Sequence, residues 1–351
     1  MKEIKIGDKI VGENNSVYII AESGCNHDGK LEQAFKIVKS AYENGADAIK
    51  FQLFKAEKLV TKNTPQWWLP EDKVKGTRQI DLYLNQDMFG FDEFKKISDY
   101  CKSLGITFLA TPFDDQSADL LDKLNVPAFK IASTDLTNLP FLEYVAKKNK
   151  PMLISVGMGS LEEIKEAVNV VEETGNKQIA LLHCIVEYPT PISDANLNFI
   201  KTLQKNFPDY VIGFSDHTLG TIIPVVAATL GARVIEKHFT IDKSIRGAPD
   251  HIISVDPKDL SIMVKDIRAA EDALGSSERV LLHYEKLAYE HGRRKIVANV
   301  YIPKGTIIQS NMIACKRNNE GLPPKHFKEV IGKKAAVDLN EDDPISEDKI
   351  Y

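Results

Sequence analysis

Two histidines, His217 in the segment SDHT and His238 in EKHF, close successive β-branched runs of the sequence. Neighbouring strands lie ~5 Å apart, so both imidazoles can reach one metal ion, with a carboxylate completing an open site. Glu22, at the end of the first such run, supplies that carboxylate if the first and eighth runs are neighbours. The alternative keeps each histidine as a satisfied hydrogen-bonding residue near the core. Lys50 and Lys130, with the hydroxyls of Thr111, Ser133, Ser155 and Ser215, gather cations and neutral donors at the same strand ends. That inventory suits a small ligand carrying both phosphate and carboxylate. A Schiff-base role for Lys130 and a salt-bridge role for Lys50 stand beside it. Neither GxxxxGKS/T nor GxGxxG occurs in a fitting setting, so nucleoside triphosphate and dinucleotide sites have no support.

These residues need elements that bring them to one place. Short β-branched runs begin at Val17, Asp47, Ile106, Ala128, Met152, Ile179, Tyr210 and Arg233, and helical patterns separate them. Leu31, Ala34, Phe35, Val38, Ala41 and Tyr42 share one helix face before Gly45. Ser160 with Glu163 forms a capping box, closed by Gly175. Asp256–Pro257 starts a helix with an apolar stripe of Leu260, Met263, Val264, Ile267 and Leu274, ended by Gly275. Eight such units predict an α/β chain with a (β/α)₈ TIM barrel over residues 1–275, with a doubly wound open sheet as the rival. In a barrel the polar residues at the C-terminal strand ends form the site. The connection from Phe54 to about Phe91, with Trp67, Trp68 and Pro70, exceeds an ordinary barrel loop and reads as a lid or binding element. A charged linker over 276–294 precedes a small β-rich domain over 295–351, marginal in core size alone.

Composition narrows the partners. The 351 residues hold 45 Lys+Arg against 50 Asp+Glu, a net charge of −5, which removes the electrostatic case for nucleic acid. No apolar run approaches the ~20 residues of a membrane span, and the charged start MKEIKIGDK does not read as a signal peptide. Cys25, Cys101, Cys184 and Cys315 are scattered without a CxxC pair, so reduced thiols and a cytoplasmic location are expected.

The ordered segments IIAESGCNHDG, DAIKFQLFKAEKL, FLATPFD, FKIAS, ISVGM, LLHCIVEYPTP, IGFSDHTLG, VIEKHFTIDK and PDH resemble the N-acetylneuraminate (sialic acid) synthase family, including legionaminic and pseudaminic acid synthases. The tail VYIPKGTIIQSNMIACKR resembles that family's antifreeze-like (SAF) domain. The resemblance implies condensation of phosphoenolpyruvate with an N-acylated amino sugar and release of phosphate. It implies that His217, His238 and Glu22 hold Mn²⁺ or Mg²⁺ as the catalytic centre, and that Lys50, Thr111, Lys130, Ser133, Ser155 and Ser215 bind phosphoenolpyruvate. Gln52, Asp135, Tyr188 and Asp250 would face the sugar. The resemblance further implies a homodimer in which the antifreeze-like domain of one chain covers the other barrel, bringing Arg317 to the N-acyl sugar there.

The sequence departs from the family pattern in places. Val186 stands where Asn or Thr is common, VGM replaces TGM after Ser155, Ala248 is inserted before Pro249, and Asn318–Asn319 follows Arg317. Two other functions fit less of the sequence. One is a 3-deoxy-aldulosonate phosphate synthase taking a phosphorylated aldose; the other is a non-catalytic carbohydrate-binding protein.

Overall fold

Period-two alternation decides which side chains enter the barrel. In the computed structural model, which describes residues 3–67, 77–245 and 249–351, eight parallel strands form one sheet. They are β3 (Tyr18–Gly24), β4 (Ala48–Leu53), β5 (Thr107–Pro112), β6 (Phe129–Ile131), β7 (Met152–Ser155), β8 (Ile179–Cys184), β9 (Val211–Asp216) and β10 (Val234–His238). The hydrogen-bonded order runs β5-β4-β3-β10-β9-β8-β7-β6, and β5 and β6 lie against each other to nearly close the cylinder. The fold is therefore the expected TIM-like barrel and not its rival, the open doubly wound sheet.

Tyr18, Ile20, Ala48, Leu109, Ala128, Leu153, Ala180, Leu182, Val211 and Val234 pack together in one interior cluster. Ile4, Ile6 and Val11 join that cluster from a hairpin of β1 (Glu3–Ile6) and β2 (Lys9–Gly12). This hairpin fills the N-terminal end of the barrel, a plug that the charged N-terminal segment did not announce. The opposite parity, including Ile19, Ala21, Ile49, Phe51 and Ile154, belongs to a second cluster shared with the surrounding helices.

The helix signals act as local chemistry predicts. Ser160 Oγ accepts from Glu163 N while Glu163 Oε2 accepts from Ser160 N, and Asp256 caps the helix Pro257–Leu274. Two predicted apolar stripes are wider than the observed ones. Tyr42 and Leu274 are exposed, and Ile37 takes the buried place in the helix Leu31–Glu43. Both outliers sit in the last turn of their helix.

The long connection carries a short helix, Ala56–Leu59, a bridge between Pro65 and Arg78, and the helix Gln79–Gln86. Trp68, Pro70 and the inserted Ala248 lie outside the described residues. The chain divides into two compact units, Met1–Gly275 and Ser276–Tyr351. The second unit holds a helix, Lys286–Gly292, and the antiparallel pair β11 (Arg294–Ala298) and β12 (Ile313–Arg317). Its own core gathers Ile296, Ile302, Ile308, Ile313, Val330 and Leu339.

Candidate active site

Each inward parity continues upward from apolar to polar. Above Ile20 comes Glu22, above Ala48 Lys50, above Leu109 Thr111, above Ala128 Lys130, above Leu153 Ser155, and above Val234 Glu236 and then His238. The interior layers below are apolar, so these groups form the floor of a cup open at the C-terminal strand ends. A cavity of about 350 Å³ is lined there by Glu22, Lys50, Thr111, Lys130, Ser133, Ser155, Ser215, His217, Glu236 and His238 together with loop residues.

The floor is a buried charge network. Lys50 Nζ stands 2.6 Å from Glu22 Oε2, donates to Thr111 Oγ1 at 2.9 Å, and lies 3.8 Å from Glu236 Oε2. Lys130 Nζ donates to Ser155 Oγ at 2.7 Å and lies 3.7 Å from Glu236 Oε1, which accepts from Ser215 Oγ at 3.0 Å. Burial alone would lift the Glu236 carboxyl, but Lys130, Lys50 and the Ser215 hydroxyl hold it below the usual glutamate range. Burial pulls Lys130 down, whereas Glu22 and Glu236 outweigh burial at Lys50 and hold it up. The two ammonium groups therefore sit differently: Lys50 has an intimate carboxylate and Lys130 only a distant one.

The imidazoles stand beside this network. The rings of His217 and His238 are 5.4 Å apart, and Tyr188 lies 4.0 Å from His217 and 6.0 Å from His238. His217 Nδ1 is bonded to Ile185 O at 2.6 Å, which fixes that ring. His238 Nδ1 is buried without a hydrogen bond, 3.7 Å from Asp250 Oδ2. Burial and the nearby cations keep His238 neutral, the form that ligates metal. The imidazole pair thus fits a divalent cation. Glu22 is engaged by Lys50, however, and no group of three metal-ligating side chains converges among the described residues.

A profile of the NeuB family matches residues 37–279, more than half of the chain. The chain belongs to the NeuB family. A SAF domain profile matches residues 293–350. An uncharacterised protein of Methanocaldococcus jannaschii is 44% identical over 345 residues, 98% of each chain. The N,N'-diacetyllegionaminic acid synthase of Legionella pneumophila is 38% identical over 95% of this chain and 94% of its own. Among solved structures, the N-acetylneuraminic acid synthetase of Leptospira borgpetersenii in complex with citrate superposes with a TM-score of 0.74 at 34% identity, covering 82% of this chain and 95% of that one.

In this NeuB-family chain the cavity gathers most residues singled out from the sequence. Gln52 lines it and donates to Glu22 Oε1 at 3.2 Å; Tyr188 and Asp250 line it as well. Burial raises the Asp250 carboxyl to about 6. Asp135 stands outside the lining, accepting from Asn138 Nδ2 at 3.1 Å. Arg317 belongs to the second unit, at the exposed end of β12. Val186 lines the cavity, and a Cβ at Gly157 would meet Val186 Cγ2 and Ser133 Oγ at 2.7 Å each. Glycine there lets its N–H donate to Ser133 Oγ at 3.0 Å.

Sequence reasoning assigns no role to Glu236, the centre of the floor, although strand alternation puts it on one face with His238. It also left out Cys184, which follows Leu182 on the inward face of β8 and places Sγ 3.8 Å from His217 Nδ1. On the outward parity, Asp216 and Lys237 are register partners joined at 2.6 Å, with both side chains fully buried. This pair ties β9 to β10 one residue before each histidine.

Proposed function

We propose that this chain is a nonulosonate synthase that condenses phosphoenolpyruvate with an N-acylated amino sugar and releases phosphate. The observation that carries the reading is the placement of Lys50 and Lys130, with Thr111, Ser133, Ser155 and Ser215, beside paired imidazoles in one cavity. A three-carbon donor with two anionic groups, a carboxylate and a phosphate, matches two buried cations and a ring of hydroxyl donors. Membership of the NeuB family and 38% identity to a legionaminic acid synthase support it.

His217 and His238 would hold a divalent cation, Mn²⁺ or Mg²⁺, with Glu22 as the carboxylate assigned to it. Such an ion supplies Lewis acidity toward an aldehyde oxygen and toward water. Lys50 and Lys130 fix the donor's carboxylate and phosphate, so that its C3 is aimed at the acceptor's aldehyde carbon. Carbon–carbon bond formation, addition of water at C2 and cleavage of the C2–O bond then yield the 2-keto acid and inorganic phosphate. Gln52, Tyr188 and Asp250 line the approach to the floor and are assigned to the sugar; Asp135 is assigned to it through the resemblance alone.

The acceptor is either N-acetylmannosamine or a 2,4-diacetamido-trideoxyhexose. We further assign a homodimer in which Arg317 of the partner subunit reaches the N-acyl group, and a cytoplasmic location, where the donor is made. Among the described residues no helix is long and apolar enough to cross a membrane. Phosphate release from phosphoenolpyruvate with Mn²⁺ and a panel of N-acyl hexosamines tests the reading. Release with one of them supports it; release with none, or with arabinose 5-phosphate instead, overturns it.

A further inference from the structure

The upper wall of the cavity differs in kind from its floor. Gln79, Leu82, Tyr83 and Gln86 all line the cavity, and their i, i+3, i+4, i+7 spacing makes them one face of the helix Gln79–Gln86. Leu59, Val60, Ile252 and Ile253 extend that wall in hydrocarbon. Two of the four helix residues are pinned: Tyr83 packs edge-on against Phe54 at 5.3 Å, and Gln79 Nε2 donates to Pro65 O at 2.9 Å. Gln86 is half-buried, one turn from Leu82, and its carboxamide has no hydrogen-bond partner among the described residues.

We propose that this helix face reads a second N-acyl group, so that the acceptor is a doubly N-acylated, terminally deoxygenated amino sugar. The inference rests on the synthase reading above. A carboxamide both donates and accepts, and so pairs with an acylamino group through its N–H and its C=O at once. The acyl methyl then meets Leu82, and a terminal methyl meets the hydrocarbon of Leu59, Val60 and Ile252. A polyol end would set hydroxyls against that hydrocarbon and leave them unpaired. A phosphorylated end would bring a dianion to glutamine and leucine, which carry no charge to meet it. The acceptor's aldehyde end, by contrast, goes to the cations and imidazoles of the floor. Gln86 and Leu82 are thus specificity-determining residues, distinct from the groups that hold the donor.

The test compares three acceptors at saturating phosphoenolpyruvate and Mn²⁺: N-acetylmannosamine, its 6-phosphate, and 2,4-diacetamido-2,4,6-trideoxymannose. The expected result is a kcat/KM at least about tenfold higher for the diacetamido sugar than for either other. Gln86→Leu should raise the KM of the diacetamido sugar about tenfold while the KM of phosphoenolpyruvate moves less than twofold. Leu82→Asn should narrow the same preference from the other side. Equal or reversed preference in the parent enzyme, or a Gln86→Leu effect shared equally by donor and acceptor, overturns this inference alone. Absence of phosphate release with every acceptor overturns the synthase reading and this inference with it.

Discussion

Lys50 Nζ and Glu22 Oε2 meet at 2.6 Å inside the barrel, both side chains almost wholly out of water. An ion pair in such a place costs desolvation that its Coulomb attraction only roughly repays. On the proposed function, its presence in this polar layer is explained by a donor whose anionic groups take over the lysine.

Removing Lys50 alone should therefore be worse than removing the pair. Lys50→Met leaves Glu22 and Glu236 sharing a buried layer with only Lys130, a loss of about 3–5 kcal/mol in urea unfolding. Lys50→Met with Glu22→Leu should recover most of that loss, because no orphaned carboxylate remains. A double variant no more stable than the single one contradicts the assignment of the pair as one electrostatic unit.

His238→Ala should abolish metal-dependent phosphate release with the fold kept. Far-ultraviolet circular dichroism identical to the parent, together with lost Mn²⁺ binding in calorimetry, is the expected pair of readouts. Full activity in the variant would show that the imidazole takes no part in the chemistry.

Arg317→Ala should raise the KM of the acceptor at least about tenfold and that of phosphoenolpyruvate far less. Steady-state kinetics with each substrate varied in turn decides it. Equal effects on both would mean that the second unit does not read the sugar.

His27 provides a pH signature outside the floor. Its ring stacks on Phe89 at 4.2 Å, and burial lowers its pKa from 6.5 to about 4. The unfolded chain takes up this proton first on acidification. The stability it contributes is therefore complete above pH 6.5 and is lost as the pH falls from there through about 4. His27→Gln should flatten that part of the melting-temperature profile. Parallel profiles for parent and variant between pH 6.5 and 4 would refute the shift.

Much of this was legible because parity and position carry it. The eight strand starts fall at or one residue before those observed, since β-branched runs bounded by helix caps admit little sliding. Lys50, Thr111, Lys130, Ser155 and His238 could be placed at strand ends from spacing alone. What escaped depended on contacts between distant segments. The hairpin that fills the barrel base looked like any charged terminus, because only Ile4, Ile6 and Val11 face inward. Glu236 passed as a neighbour of His238, since nothing local shows that Lys50 and Lys130 lie on either side of it. The glutamine face of the helix Gln79–Gln86 lies within a connection whose length signals importance but whose direction only tertiary packing sets.

The central claim is that one cup holds both the cation and the three-carbon donor. Crystals soaked with Mn²⁺ and phosphoenolpyruvate test it most directly. The account predicts an anomalous manganese peak shared by His217 and His238, with the donor's carboxylate and phosphate oxygens on Lys50 and Lys130. Manganese or donor bound elsewhere, with both histidines left unligated, would contradict it.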